Sequence, residues 1–170
     1  MGRVSTKENK TVYQTARELA GMTREKASEK TMLEPYRIER IENERMEVTP
    51  WDVVSMSEAY KNPELCNYYC ANECPIGKKY VPEVKIKDLS QVILEMLASL
   101  NSMKKSQERL IEITADGKIE EDELEDFVYI QKELEKISIT VESLQLWTER
   151  MIATGKIDMD QYEALMKGIR

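Results

Sequence analysis

Three cysteines stand four residues apart in the run Cys66-Asn67-Tyr68-Tyr69-Cys70-Ala71-Asn72-Glu73-Cys74-Pro75. On a continuous helix that spacing lines the sulfurs on one face over two turns. Three thiolates could hold zinc with a fourth ligand from Asp, Glu or a partner, or an iron–sulfur cluster with one open site. Pro75 ends the helix near Cys74, so only Cys66 and Cys70 need share it. The other reading of Cys66, Cys70 and Cys74 is small buried thiols in a reducing compartment, with no cofactor.

The chain has no histidine. Ser-His-Asp and Cys-His catalysis, histidine zinc ligands and histidine general bases are therefore excluded. No glycine-rich loop would cradle a phosphate, and no carboxylate pair has a pocket implied around it. The protein is read as not an enzyme. A calcium loop is a further candidate, since Gly117, Ile119 and Glu123 fall at positions six, eight and twelve of an EF-hand, with Glu112, Thr114 and Asp116 at one, three and five. A second, similar turn around Gly155 places Gln161 at position twelve, which removes the bidentate carboxylate. Helix punctuation by a left-handed glycine accounts for both turns.

The elements that must position these groups are helices. Thr23 before Arg24-Glu25-Lys26-Ala27, and Thr49-Pro50-Trp51-Asp52, are helix starts, the second with a hydroxyl cap, a proline in the first turn and a carboxylate behind it. Asn62-Pro63-Glu64 begins the helix that carries the cysteines. Tyr13, Ala16, Leu19, Ala27, Leu33, Ile38, Ile41, Val53, Val54 and Met56 are apolar at spacings suited to a modest core. Two prolines and a glycine in residues 75–86 mark a linker.

Two long helices follow. Leu89, Ile93, Met96, Leu100, Met103, Gln107 and Leu110 fall at alternating steps of four and three, and so do Phe127, Ile130, Leu134, Ile137, Val141, Leu144, Thr148 and Met151. Both are heptad seams, and apolar residues beside them (Val92, Leu97, Ile111, Leu124, Leu146, Trp147) widen each stripe. The expectation is an antiparallel helical hairpin that pairs with a second copy through residues 87–153. The acidic residues of these helices are expected on the solvated face.

Charge is divided unevenly. Residues 1–60 hold 10 Lys+Arg against 11 Asp+Glu, whereas residues 87–170 hold 11 against 18. The acidic C-terminal half repels nucleic acid and could instead recruit a protein partner, so any DNA contact belongs to the first half. The longest apolar stretches are far below the roughly 18 residues that span a bilayer, and the N-terminus lacks the apolar core of a signal peptide. The expected location is the cytoplasm, with no membrane contact.

From Arg17 the chain resembles the helix-turn-helix family of Cro and the lambda repressor (the XRE family), without a gap. Arg17-Glu18 stands where helix one ends, Thr23 to Lys30 is the second helix, Met32-Leu33-Glu34 the turn, and Pro35 to Asn43 the recognition helix. The ending Ile38-Glu39-Arg40-Ile41-Glu42-Asn43 is the most specific part, and Thr49-Pro50 opens the family's fourth helix. Met32 and Glu44 stand where the family carries glycine, and Glu34 and Glu39 add negative charge to the recognition helix. The resemblance implies that Arg24, Glu34, Tyr36, Arg37 and Arg40 face double-stranded DNA, and Arg45 lies at the same edge.

The fold expected is thus all-α: a helix-turn-helix domain over residues 1–74, the linker at 75–86, and a hairpin dimerisation domain over 87–170. The implied function is a dimeric, sequence-specific transcriptional regulator. A protein-interaction scaffold with a degenerate helix-turn-helix, and a thiol- or metal-responsive regulator through Cys66, Cys70 and Cys74, are the alternatives.

Overall fold

A computed structural model describes residues 10–115 and 117–168. The protein is all-α, with no strand among the described residues. Two compact units are distinguished: one comprises the chain up to Val84 together with the segment from Thr148, and the other is Lys85–Trp147. The second boundary lies inside a helix, so the expected domain over 87–170 is divided, and its last residues cluster with the first unit.

The first unit opens with α1 (Val12–Leu19), α2 (Arg24–Thr31), α3 (Pro35–Glu42), α4 (Pro50–Tyr60) and α5 (Glu64–Asn72). Each of the threonine caps is made: Thr11 accepts from Gln14 N, Thr23 from Lys26 N and Thr49 from Asp52 N. At α4 the box is complete, because the Asp52 carboxylate accepts in return from Thr49 N at 2.8 Å. Helix α2 is polar apart from Ala27, which is fully buried. Its end is closed by Thr31, whose hydroxyl donates to Ala27 O and accepts from Leu33 N. The next residue, Met32, adopts φ 59°, the left-handed conformation for which glycine is the cheaper residue.

The core of this unit is Tyr13, Ala16, Ala27, Ile38, Ile41, Val48, Val53, Met56, Tyr60 and Leu65. Two expected members are outside it: Leu19 is 82% exposed and Val54 is exposed on α4. Leu19 is the last residue of α1, and Val54 is flanked on its own helix by the buried Val53 and Met56.

The expected linker is partly ordered by α5. It contains one helical turn, α6 (Gly77–Tyr80). Asn67 donates to Pro82 O at 3.1 Å and accepts from Val84 N at 2.8 Å, and Val84 is buried. Gly77 lies against α5 so closely that a Cβ there would meet the Cys70 carbonyl oxygen at 2.0 Å.

The second unit holds α7 (Leu89–Ile113) and most of α8 (Leu124–Ala153). They run antiparallel, joined by Arg109 Nε to Asp126 Oδ2 at 2.7 Å and by the Ser102 and Tyr129 hydroxyls at 3.4 Å. The buried side chains of this unit are Val92, Ser99, Ile113, Ile130, Glu133, Thr140, Ser143 and Leu146. This differs from the expectation. Of the heptad residues only Ile130 is buried, whereas Leu89, Leu100, Leu134 and Val141 are exposed. The hydroxyls of Ser99, Thr140 and Ser143 donate to carbonyls of their own helices, so small polar residues sit inside without unmet hydrogen bonds. Glu133 is also inside rather than on the solvated face, held by Lys136 at 2.6 Å.

Gly117 and Gly155 have φ of 74° and 72°, as the punctuation reading of both turns expects. Asp158 then accepts from Gln161 N and starts α9 (Met159–Gly168).

Candidate nucleic-acid interface

Helix α3 is anchored from behind by charge. The inward positions of Pro35–Glu42 are Ile38, Ile41 and Glu42, and Glu42 is only 1% exposed. A carboxylate so placed requires cations. Arg17 on α1 supplies Nε to Oε1 at 2.5 Å and Nη2 to Oε2 at 3.1 Å, while its Nη1 donates to Met22 O. Arg24, the first residue of α2, adds Nε to Oε2 at 2.8 Å. One buried carboxylate therefore ties α1, α2 and α3 together. Burial works against the charge on Arg17, but the hydrogen bond and the negative charge of Glu42 outweigh it and hold Arg17 above its ordinary pKa.

The outward positions carry the candidate contacts. Tyr36 is 62% exposed. Arg40, one turn later, places its guanidinium 5.6 Å from the Tyr36 ring centroid and donates from Nη1 to the phenol oxygen at 3.3 Å. Its Nη2 donates to Arg45 O at 2.9 Å, which fixes the chain as it leaves α3. Of the expected contact residues, Glu34, Tyr36 and Arg45 are exposed and Arg40 is half-buried.

Arg37 is engaged elsewhere. Its Nε and Nη2 donate to Asp52 Oδ1 and Oδ2 at 2.7 and 2.6 Å, and its Nη1 lies 3.2 Å from Met46 Sδ. Donating to the Asp52 carboxylate raises the Arg37 pKa above its ordinary value. Arg24 is half-buried and spends its Nε on Glu42. Arg17, Glu42 and Asp52 are not among the candidate contacts legible in the sequence. Glu42 follows Ile41 on the inner face of α3, and Asp52 is the capping-box residue of α4.

The cysteines are free and half-buried. Cys74 Sγ accepts from Gly77 N at 3.4 Å. Burial, followed by the neighbouring Cys74 and Cys66, pushes the Cys70 thiol above its ordinary pKa, which disfavours the thiolate that binds metal or attacks disulfides. Among the described residues no group of three or more His, Cys, Asp or Glu is placed to hold a metal ion, Cys66, Cys70 and Cys74 included. Of the calcium candidates, Asp116 lies outside the described residues. Glu112 pairs with Arg109, the Thr114 hydroxyl donates to Leu110 O, and Glu123 accepts from Glu120 N.

No described helix is long and apolar enough to cross a membrane. The chain matches no protein-family model, no curated protein and no solved structure.

Proposed function

We propose that the protein is a sequence-specific DNA-binding transcriptional regulator of the Cro and lambda-repressor kind, acting as a dimer in the cytoplasm. One observation carries this reading: the exposed outer face of α3 presents Tyr36 with Arg40 stacked on it, on a helix locked in place by Arg17 and Glu42. Arg40 and Tyr36 touch base edges in the major groove, an arginine there favouring guanine. Arg45 and the terminal amino groups of Arg24 neutralise phosphates, and Glu34 at the head of α3 selects against bases that offer it no donor. Arg37 acts as a positioning residue, holding α3 to the start of α4 through Asp52.

The dimer forms through the hairpin, where the exposed apolar residues Leu94, Leu97, Leu100, Leu134 and Val141 lie on outward positions of α7 and α8. Exposed apolar side chains of this kind suit an association face, and two copies pack as four helices. A second reading, a protein-interaction scaffold, is favoured by the engagement of Arg24 and Arg37 in ion pairs and by the acidic hairpin.

Fluorescence anisotropy of a random-sequence duplex and of the duplex upstream of the protein's own coding region, at low and moderate salt, separates the two. The regulator binds selectively and with a steep salt dependence, and Arg40→Ala abolishes selectivity without unfolding. A folded dimer that binds neither duplex at low salt makes it the scaffold.

A further inference from the structure

The three cysteines occupy different places on α5. Cys66 lies within the helix and packs against the core of the first unit. Cys70 is in the last turn, and Cys74 stands just past the cap residue Glu73, whose backbone is still right-handed helical. That places the α-carbons of Cys70 and Cys74 about 6 Å apart on one face. A disulfide spans α-carbon separations of roughly 4.4–6.8 Å but needs β-carbons within roughly 4.5 Å. At this spacing on a helix the β-carbons are about 5–6 Å apart, so one of the two residues must move inward.

Cys74 is free to do so. It is held at the helix end by its amide, which donates to Tyr69 O at 2.9 Å, and by its sulfur, which accepts from Gly77 N at 3.4 Å. Beyond it the chain folds back on α5, and the buried Gly77 packs on the Cys70 carbonyl. Gly77 thus touches the backbone of one cysteine and the sulfur of the other. Cys66 and Cys70 share the same spacing, but both lie inside regular helix, which resists the inward step. All three thiols are free and half-buried, within reach of a small oxidant. Burial, then Cys74 and then Cys66, raise the Cys70 thiol above its ordinary pKa, which leaves the first reaction with an oxidant to Cys74.

We propose that Cys70 and Cys74 are a redox pair, oxidised by a hydroperoxide to an intramolecular disulfide that releases Gly77. The Cys74 thiolate attacks one peroxide oxygen: an S–O bond forms, the O–O bond breaks, and the other oxygen leaves as water with the proton that Cys74 gave up. The Cys70 sulfur then attacks the sulfur of the Cys74 sulfenic acid. The S–S bond forms, the S–O bond breaks, and the hydroxyl leaves with the Cys70 proton as a second water. The two thiols together lose two electrons and two protons, and the peroxide is reduced. A small thiol reverses the step through a mixed disulfide. Drawing Cys74 toward Cys70 takes its sulfur off Gly77 N and loosens the turn into α6. The inference is independent of DNA binding.

The test treats the full chain, without DNA, with hydrogen peroxide and follows intact mass, thiol alkylation and amide hydrogen exchange. A loss of about 2 Da is expected, with Cys70 and Cys74 protected from alkylation, Cys66 still modified, and full recovery on dithiothreitol. Exchange at the Gly77 amide becomes about tenfold faster in the oxidised protein. Cys66→Ser is expected to oxidise like wild type, whereas Cys70→Ser and Cys74→Ser, with wild-type helical spectra, lose no mass. Cys70→Ala serves in place of Cys70→Ser if the serine disturbs α5. An unchanged mass, a gain of oxygen without a disulfide, a bond between Cys66 and Cys70, a disulfide only between two copies, or unaltered exchange at Gly77 would overturn the proposal.

Discussion

Arg37 on α3 and Asp52 on α4 are joined by two hydrogen bonds, and the same Asp52 carboxylate accepts from Thr49 N and the Thr49 hydroxyl at 2.8 and 2.7 Å. A single buried carboxylate therefore caps one helix and pins another. This gives the outer arginines of α3 different work, with Arg37 holding the helix and Arg40 facing outward.

Arg37→Ala is expected to cost about 1–2 kcal/mol of stability, through a partly exposed charged pair and the weakened cap behind it. Arg40→Ala is expected to cost less, about 0.5–1 kcal/mol, through its hydrogen bonds to the Tyr36 hydroxyl and Arg45 O. Urea unfolding of the two variants, set beside their DNA titrations, checks the division. It fails if Arg37→Ala unfolds like wild type while losing binding as fully as Arg40→Ala.

Asp52 also sets part of the acid limit. Burial works to raise its carboxyl, but hydrogen bonds from Arg37 and Thr49 outweigh this and hold it below the ordinary value of 3.8. A folded-state pKa below the unfolded one means that the stabilisation is fully present above the ordinary value and is lost as pH falls through the lower folded one. Urea midpoints measured from pH 6 to pH 2 should fall at the acid end, and Asp52→Asn should flatten that limb while lowering stability at neutral pH. A fall of unchanged steepness in Asp52→Asn would assign the acid limit to other groups.

Glu42→Gln leaves two arginines facing a neutral amide in the interior. Removing one partner of a buried ion pair costs about 3–5 kcal/mol, a large part of the total for a small domain. Thermal unfolding should show a loss of helix in the first unit near room temperature. A shift of only a few degrees would mean that water reaches this cluster.

Tyr60 presents the opposite case. Its ring is in the core, yet its hydroxyl is buried with no hydrogen-bond partner among the described residues. Tyr60→Phe removes a polar atom that gains nothing, so stability should be unchanged or higher by up to about 1 kcal/mol. A clear loss in urea unfolding would reveal a water or other partner on that oxygen.

The hairpin gives the most direct structural test. Leu100 and Leu134 are 46% and 48% exposed on α7 and α8. Leu100→Lys with Leu134→Lys should convert a dimer to a monomer in light scattering, with most of the helical signal kept, because the buried side chains of the pair are elsewhere. An unaltered dimer would place the association face on another surface.

The sequence by itself determined the features that act within about four residues: the caps at Thr23 and Thr49, the left-handed turns at Gly117 and Gly155, the long helical periods of α7 and α8, and the all-α class. These rest on backbone hydrogen bonds and side chains one turn apart, so their signals are contiguous in the chain. Tertiary structure alone decided the rest. Arg17 meets Glu42 across 25 residues and Arg37 meets Asp52 across 15, and nothing local shows which arginine will find a carboxylate. Each long helix carries one widened apolar stripe, and periodicity does not say which part of it turns inward. The answer, with Ser99, Glu133 and Ser143 inside and Leu100 and Leu134 out, depends on how closely the two backbones approach and which polar groups are satisfied on their own helices. The fit of Gly77 against the Cys70 carbonyl has the same origin. Close approach between segments is a property of the folded chain, and a glycine does not reveal in advance which backbone it will meet.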